Sequence, residues 1–499
     1  LEPQPLPGTD EAQFPFWSPD SRWIAFFAEG KLKKIAAAGG PSQTLCDAAA
    51  GTGGTWNRAG AIVFSPVLRS PLQRVSAAGG QPSPLPGSAD FRTPAFLPDG
   101  ARYLYLSSAG ADGLAGVHIA SFDGKPGRRV LADQSLALYA APRAGERDAH
   151  LLFVREGTLM AQPVDPGTLQ SRGELFPVAE RISAGLFAGS WAVSISENGI
   201  LVYQTGGGSR EQQLVWYDRT GKELEKVGAP HRFFGLALSP DEKTVALARG
   251  EATGADLWLY DLARRVETRL TFEPKFRHAE PLFSPDGKRL AFNATPKGAA
   301  NLYLKATGAG KDEPLLESGP SKFVTDWSRD GRFLLYSQLE PKTRQDIFVL
   351  PLEGDRKPFP FLQTGFHESQ AQFSPDGKYV AYASDESGRY EIYVRPFPSG
   401  AGKLRISNAG GQWPRWRRDG GELFYLSPDR KLMAVAMKTS SSGIQPGAPQ
   451  LLFGADFFSA VTGFNLFSYA VAENGKRFLA RVSAGDTAPA PLTVLDNWK

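Results

Sequence analysis

The stretch Phe283-Ser284-Pro285-Asp286-Gly287-Lys288 returns as Phe373-Ser374-Pro375-Asp376-Gly377-Lys378. Its chemistry is that of a tight turn between two strands. Pro285 presets φ for the second turn position, Asp286 suits the third and bonds nearby backbone, and Gly287 takes the left-handed position. The aspartate position recurs at Asp20, Asp99, Asn198, Asp241, Asp286, Asp330, Asp376, Asp419 and Asn474. Degenerate copies at Trp56-Asn57-Arg58 and Ala141-Pro142-Arg143 bring the total to eleven units, most clearly spaced at about 45 residues. A repeat of that length is one small sheet that cannot bury its own faces. Such sheets stack around an axis, as in a β-propeller, and leave binding surfaces at the two ends. The repeated aspartate is read as a turn residue rather than as a metal ligand or catalytic acid.

The strand after the turn alternates large and small residues, as in Val380-Ala381-Tyr382-Ala383 and Leu290-Ala291-Phe292, which suits a sheet covered on both faces. A third strand aligns independently: Asp256-Leu257-Trp258-Leu259, Asn301-Leu302-Tyr303-Leu304, Asp346-Ile347-Phe348-Val349 and Glu391-Ile392-Tyr393-Val394 start 45 residues apart each time. A fourth, more polar segment (264–271, 312–318) completes a four-stranded blade. The expected fold is therefore all-β, with tandem β-propellers built from about eleven four-stranded blades in two rings. With a break at Gly206-Gly207-Gly208-Ser209, residues 1–208 form a first ring of five blades plus a leading strand, and residues 209–499 form a second ring of six.

Glycine (54) and proline (39) make up about a fifth of the 499 residues, as a turn-dense all-β chain requires, and 41% hydrophobic content is ample for a core. Fifty-six basic and 52 acidic residues leave a net charge of +4 without a basic stripe, so no nucleic-acid partner is expected. The single cysteine, Cys46, leaves the compartment open. The most apolar stretch, 182–195, is interrupted by Ser183, Gly185, Gly189 and Ser190, so the chain itself is not expected to insert into a membrane. Leu1 is not a methionine, and Glu2 to Gly8 resemble the closing segment of a blade. The expectation is a piece of a longer protein, with Pro3 to Pro7 either closing the first ring or belonging to a truncated blade, which would make twelve blades in all.

Chemistry is sparse. No G-x-S-x-G nucleophile elbow occurs. His118, His150, His231, His278 and His367 are scattered without metal-ligand spacing and are read as surface or loop residues. Gly308-Ala309-Gly310-Lys311 is a hairpin loop rather than a P-loop, and the Arg329-Asp330 and Arg418-Asp419 pairs belong to repeat turns rather than to a kinase loop. No catalytic residue, metal ligand or cofactor is expected.

Two clusters stand out: the charged tip Asp385 to Glu391 leading into Arg395, and Trp413-Pro414-Arg415-Trp416-Arg417-Arg418. Arginine offers planar donors and tryptophan a π face, so Arg395, Trp413, Arg415 and Arg417 are the candidate ligand-binding residues, suited to an anionic or carbonyl-bearing group. The competing reading places Trp416 in the core, at the position of Phe283, Trp327 and Phe373. Trp413 and Arg415 flank it on an alternating strand and are then expected to be exposed.

The Ser-Pro-Asp-Gly repeats resemble TolB-like, WD-type propeller repeats over nearly the whole chain. The phrases Leu152 to Gln162, Gln213 to Arg219, Arg356 to Leu362 and Glu391 to Pro398 resemble the C-terminal propeller region of bacterial membrane-bound serine/threonine protein kinases. That resemblance implies an extracytoplasmic, ligand-sensing region tethered to an upstream kinase and membrane helix, neither of which lies in this chain. A non-catalytic sensor or scaffold follows, binding a protein, peptide or small molecule at a propeller mouth. Three alternatives stay open: the gating propeller of a prolyl oligopeptidase-like or tricorn-like peptidase, a free-standing TolB-like periplasmic protein, and an enzyme that draws one residue per blade into a central channel.

Overall fold

The computed structural model describes the chain apart from residues 1–5, 10–11, 29, 49–50, 67–70, 86–90, 108–114, 125–126, 144, 184–189, 206–210, 252–253, 274–275, 298, 309, 318, 341–342, 400–401, 441–442, 458–466, 485–491 and 499. Most of the leading segment, the glycine run 206–209, the middle of 182–195 and Ala309 thus lie outside the described residues. The described residues form eleven antiparallel sheets: nine of four strands, one of five and one of three. The fold is all-β, of the β-propeller kind.

Two compact units divide the chain, residues 209–487 in one and residues 1–208 with 488–499 in the other. The boundary expected at 209–499 is therefore corrected at its far end. Leu492–Leu495 pairs with Leu201–Gln204, and Trp498 buries its ring beside His150 while donating its indole N–H to Gly199 O at 3.0 Å. Apolar strand residues and a buried tryptophan hold this tail in the first unit.

The first unit has five sheets, which begin with the strands Gln13–Trp17, Gly54–Trp56, Phe91–Phe96, Leu138–Ala140 and Val193–Ile195. Shared apolar clusters join successive sheets, for example Phe27 against Phe64 and Leu152 with Leu201. Arg58, in the second sheet's turn, pairs with Glu197 in the fifth sheet's turn at 2.9 Å.

The second unit has six blades. Their first strands are Phe233–Leu238 (blade one), His278–Phe283 (two), Lys322–Trp327 (three), Glu368–Phe373 (four), Gln412–Trp416 (five) and Tyr469–Ala472 (six). Each packs on the next, and that of blade six also packs on that of blade one, so the ring closes. Blade six takes strands from both ends of the unit, because Gln212–Asp218 lies between Glu223–His231 and Arg477–Ser483.

The alternation read in blade four has a direct packing cause. Val380 and Tyr382 enter the seam with blade three, and Ala381 and Ala383 enter the seam with blade five. Large side chains on one face meet small ones on the other, so neighbouring sheets nest. Burial of each large side chain contributes about 2 kcal/mol.

The turns also follow from their residues. Ser284 Oγ donates to Asp286 Oδ1 at 2.5 Å and accepts the Arg289 N–H at 3.0 Å, while Asp286 accepts the Lys288 N–H at 3.1 Å. The same three bonds recur at Ser374 and Asp376.

Candidate functional site

The six innermost strands of the second unit surround an axial cavity of about 230 Å3. Five of them break register at the same level, between Phe233 and Leu236, Ala279 and Leu282, Val324 and Asp326, Ser369 and Gln372, and Gln412 and Arg415. A bulge bends its strand and re-aims the side chains that follow. Glu280, Gln370 and Trp413 take positive φ at these bulges. In blade one the position is Gly235, at φ +137°, where an added Cβ would meet Glu280 Cα and N at 2.9 Å. Only glycine fits there.

The residue four positions before each repeat Asp or Asn lines the cavity: Ala237, Leu282, Asp326, Gln372, Arg415 and Ala470, one per blade. Blades three to five thus supply an acid, an amide and a guanidinium, and blades six, one and two supply aliphatic groups. One wall is polar and the other is apolar.

The polar wall is held in place. Arg415 Nη1 donates to Gln372 Oε1 at 3.0 Å, and Gln372 Nε2 donates to Thr325 O at 2.7 Å. Asp326 Oδ2 accepts the Phe373 N–H at 2.7 Å. Burial pushes the Asp326 carboxyl up to about 6, against the pull of the Phe373 amide and the Arg415 charge. Burial also lowers Arg415, to about 10, with Asp326 opposing. Arg415 Nε is buried without a hydrogen-bond partner among the described residues. The arrangement offers a fixed, partly unsatisfied cation facing an apolar wall.

Of the four residues expected to bind ligand, the structure brings only Arg415 to this cavity. Trp413 is 4% exposed rather than solvent-facing. The bulge turns it into an apolar cluster, its backbone N–H donates to Gln370 Oε1 at 2.6 Å, and its carbonyl accepts the Tyr469 hydroxyl at 2.9 Å. Arg417 is committed to Asp419 at 2.6 Å and Glu422 at 2.9 Å, bracing the blade-five turn. Arg395 lies in the third strand of blade four, 5.9 Å from the Phe361 ring centroid, and does not line the cavity.

Asp326, Gln372 and the aromatic support Phe467 were missed, although aligning the residue before each repeat aromatic would have exposed the Asp-Gln-Arg run. The histidine expectation is also corrected, since His118, His150, His278 and His367 are buried. His278, fully enclosed between blades one and two, lies 2.9 Å from Ala255 O and 3.2 Å from Asp312 Oδ2. Among the described residues no group of three or more His, Cys, Asp or Glu is arranged to hold a metal, and no helix is long and apolar enough to cross a membrane.

The closed ring of sheets around an axial cavity defines a β-propeller. No family model matches the chain. Among solved structures, it is similar to a putative TolB from Agrobacterium tumefaciens (17% identity, TM-score 0.43, covering 56% of this chain and all of that one). It is also similar to TolB from Acinetobacter baumannii (16%, TM-score 0.39, covering 60% and 80%). The tricorn protease matches at 13% identity and TM-score 0.34, covering 89% of this chain and 59% of that one.

Proposed function

We propose that this chain is a non-catalytic binding module whose second ring receives an anionic group, such as a peptide carboxylate, in its axial cavity. The observation that carries this reading is Arg415, held by Gln372 and opposed by an apolar wall. A guanidinium recognises a carboxylate with parallel donors, and a small apolar side chain beside that carboxylate fits the opposite wall. At about 230 Å3 the cavity suits one or two residues of a peptide, or a small acid, rather than a folded surface. The wider expectation is a sensor: the extracytoplasmic part of a membrane-anchored bacterial serine/threonine kinase, supported by the likeness of Leu152 to Gln162 and Glu391 to Pro398.

Calorimetric titration with short peptides, each with a free or amidated C-terminus, tests the binding reading. Free carboxylates should bind at least tenfold more tightly than amides, and Arg415→Lys should erase the difference. Equal binding of both forms would refute it. The parent open reading frame tests the sensor reading separately, since a kinase and one membrane helix upstream are required, whereas a hydrolase downstream would make the ring a substrate gate.

A further inference from the structure

The turn after the innermost strand carries proline just before its aspartate in blades one, two and four, as Ser239-Pro240-Asp241, Ser284-Pro285-Asp286 and Ser374-Pro375-Asp376. Proline presets φ there. Blades three and five give up that preset and place arginine instead, in Ser328-Arg329-Asp330 and Arg417-Arg418-Asp419, while blade six has Glu473. Both arginines fall on the side of the ring that supplies Asp326, Gln372 and Arg415 to the cavity.

These turns form the rim of that cavity, and Pro240 itself lines it. They meet one another: a Cβ on Gly287 would lie 3.7 Å from Pro240 Cδ, a Cβ on Gly420 would lie 3.7 Å from Pro375 Cδ, and Asn474 Nδ2 donates to Asp419 Oδ2 at 3.0 Å. Arg418 Nη1 is 3.4 Å from Pro240 O, so this side chain reaches from blade five past blade six to the edge of the cavity. Arg329 follows Asp326 by three residues, as Arg418 follows Arg415, a separation of at most about 10 Å.

Neither rim guanidinium is committed to a carboxylate. The aspartates beside them are already bonded, Asp330 to Ser328 at 2.6 Å and Arg332 at 2.7 Å, and Asp419 to Arg417 at 2.6 Å and Asn474. Glu473, the acidic member of the rim, is held by Arg477 at 2.9 Å. Arg329 and Arg418 are exposed and form no ion pair among the described residues. Desolvation, and after it the like charge of Arg418, lowers the Arg329 guanidinium, with Asp326 and Asp419 opposing. Two uncompensated cations thus flank blade four at the mouth of a cavity that holds a third.

We propose that Arg329 and Arg418 form an outer carboxylate site, so that the second ring takes the C-terminus of an acidic peptide: the terminal carboxylate meets Arg415, and an acidic side chain two residues before the last meets the rim. This rests on the reading of Arg415 given above. With one or two residues inside about 230 Å3, the third from the end emerges at the rim. There an aspartate or glutamate replaces the long contact of Arg418 with Pro240 O by charge-assisted bonds. The two arginines also concentrate acidic ligands at the opening.

Calorimetric titration of the full chain with acetyl-Gly-Glu-Ala-Ala and acetyl-Gly-Gln-Ala-Ala, each with a free or an amidated C-terminus, tests the proposal. At low salt the free-acid Glu peptide should bind at least tenfold more tightly than its Gln counterpart, and the gap should narrow in about 0.5 M sodium chloride. Arg329→Gln combined with Arg418→Gln should close the gap, and as both side chains are exposed the double variant should fold. Equal binding of the Glu and Gln peptides to the unaltered chain overturns the outer site, and leaves the Arg415 reading standing if the free C-terminus still outbinds the amide. A Glu preference that survives the double variant overturns it as well. A Glu preference with no preference for the free C-terminus overturns the Arg415 reading and the terminal placement proposed with it, as does failure of all four peptides to bind.

Discussion

Arg415 sits over the ring of Phe467, its guanidinium carbon 3.6 Å from the ring centroid. The aromatic face, the Gln372 amide and the Asp326 carboxylate together hold a charge that burial alone would disfavour. The bond to Gln372 orients the guanidinium, which decides the angle at which an entering anion is met.

Removing that guanidinium leaves Asp326 without its counter-charge inside the ring. Arg415→Ala is expected to destabilise the second unit by about 3 kcal/mol, read from urea unfolding. Asp326→Asn in the same background should recover part of that loss. Additivity of the two changes would show that the pair is not coupled.

Blade one tolerates no side chain at its bulge. Gly235→Ala drives a Cβ into the Glu280 backbone at a φ that L residues rarely adopt, and should cost about 2 kcal/mol or more. Ala237→Gly, two residues on, serves as the control and should cost about 1 kcal/mol.

Between about pH 5 and pH 8, stability should fall as pH rises. Glu368 is pushed by burial from 4.5 up to about 7, and Asp346 adds to the effect. Asp326 rises from 3.8 to about 6, again by burial. Between these values the folded chain holds protons that the unfolded chain has released, so unfolding gains with each step in pH. The urea midpoint should therefore be lower at pH 8 than at pH 5. Glu368→Gln should flatten the upper part of that fall, and a profile unchanged by this variant would contradict the assignment.

The repeat turns act in the opposite sense. Ser284 and the Lys288 amide hold Asp286 below the usual carboxylate range, so its contribution is present above pH 4 and lost as pH falls further. Ser284→Ala removes the hydroxyl bound by both Asp286 and the Arg289 N–H, and should cost about 1 kcal/mol by urea unfolding at pH 7.

The blades were legible because their signals are local. Ser-Pro-Asp-Gly encodes a turn within six residues, and Val380-Ala381-Tyr382-Ala383 carries its own packing pattern. The cavity was only half legible, since Asp326, Gln372 and Arg415 are more than 40 residues apart and meet only when three blades stack. The misplacement of Trp413 has one cause: simple alternation sends it to solvent, and the register break between Gln412 and Arg415 sends it to the core. The last residues were misassigned because pairing of Leu492–Leu495 with Leu201–Gln204 spans nearly 300 positions and carries no repeat signature.

Because Gln212 pairs with Ser483, the second ring begins and ends in one sheet, and its two ends emerge as neighbours. The first unit meanwhile finishes its fifth sheet with a strand that follows the whole second ring. The two propellers are therefore nested in the chain rather than strung in series. On a ribosome the inserted ring has all its strands first, while its host must wait with an open sheet for the strand Leu492–Leu495. A gene from which residues 209–487 are deleted and replaced by a short linker should still encode the host unit whole. Deletion of 488–499 alone should injure that unit and leave the inserted ring untouched.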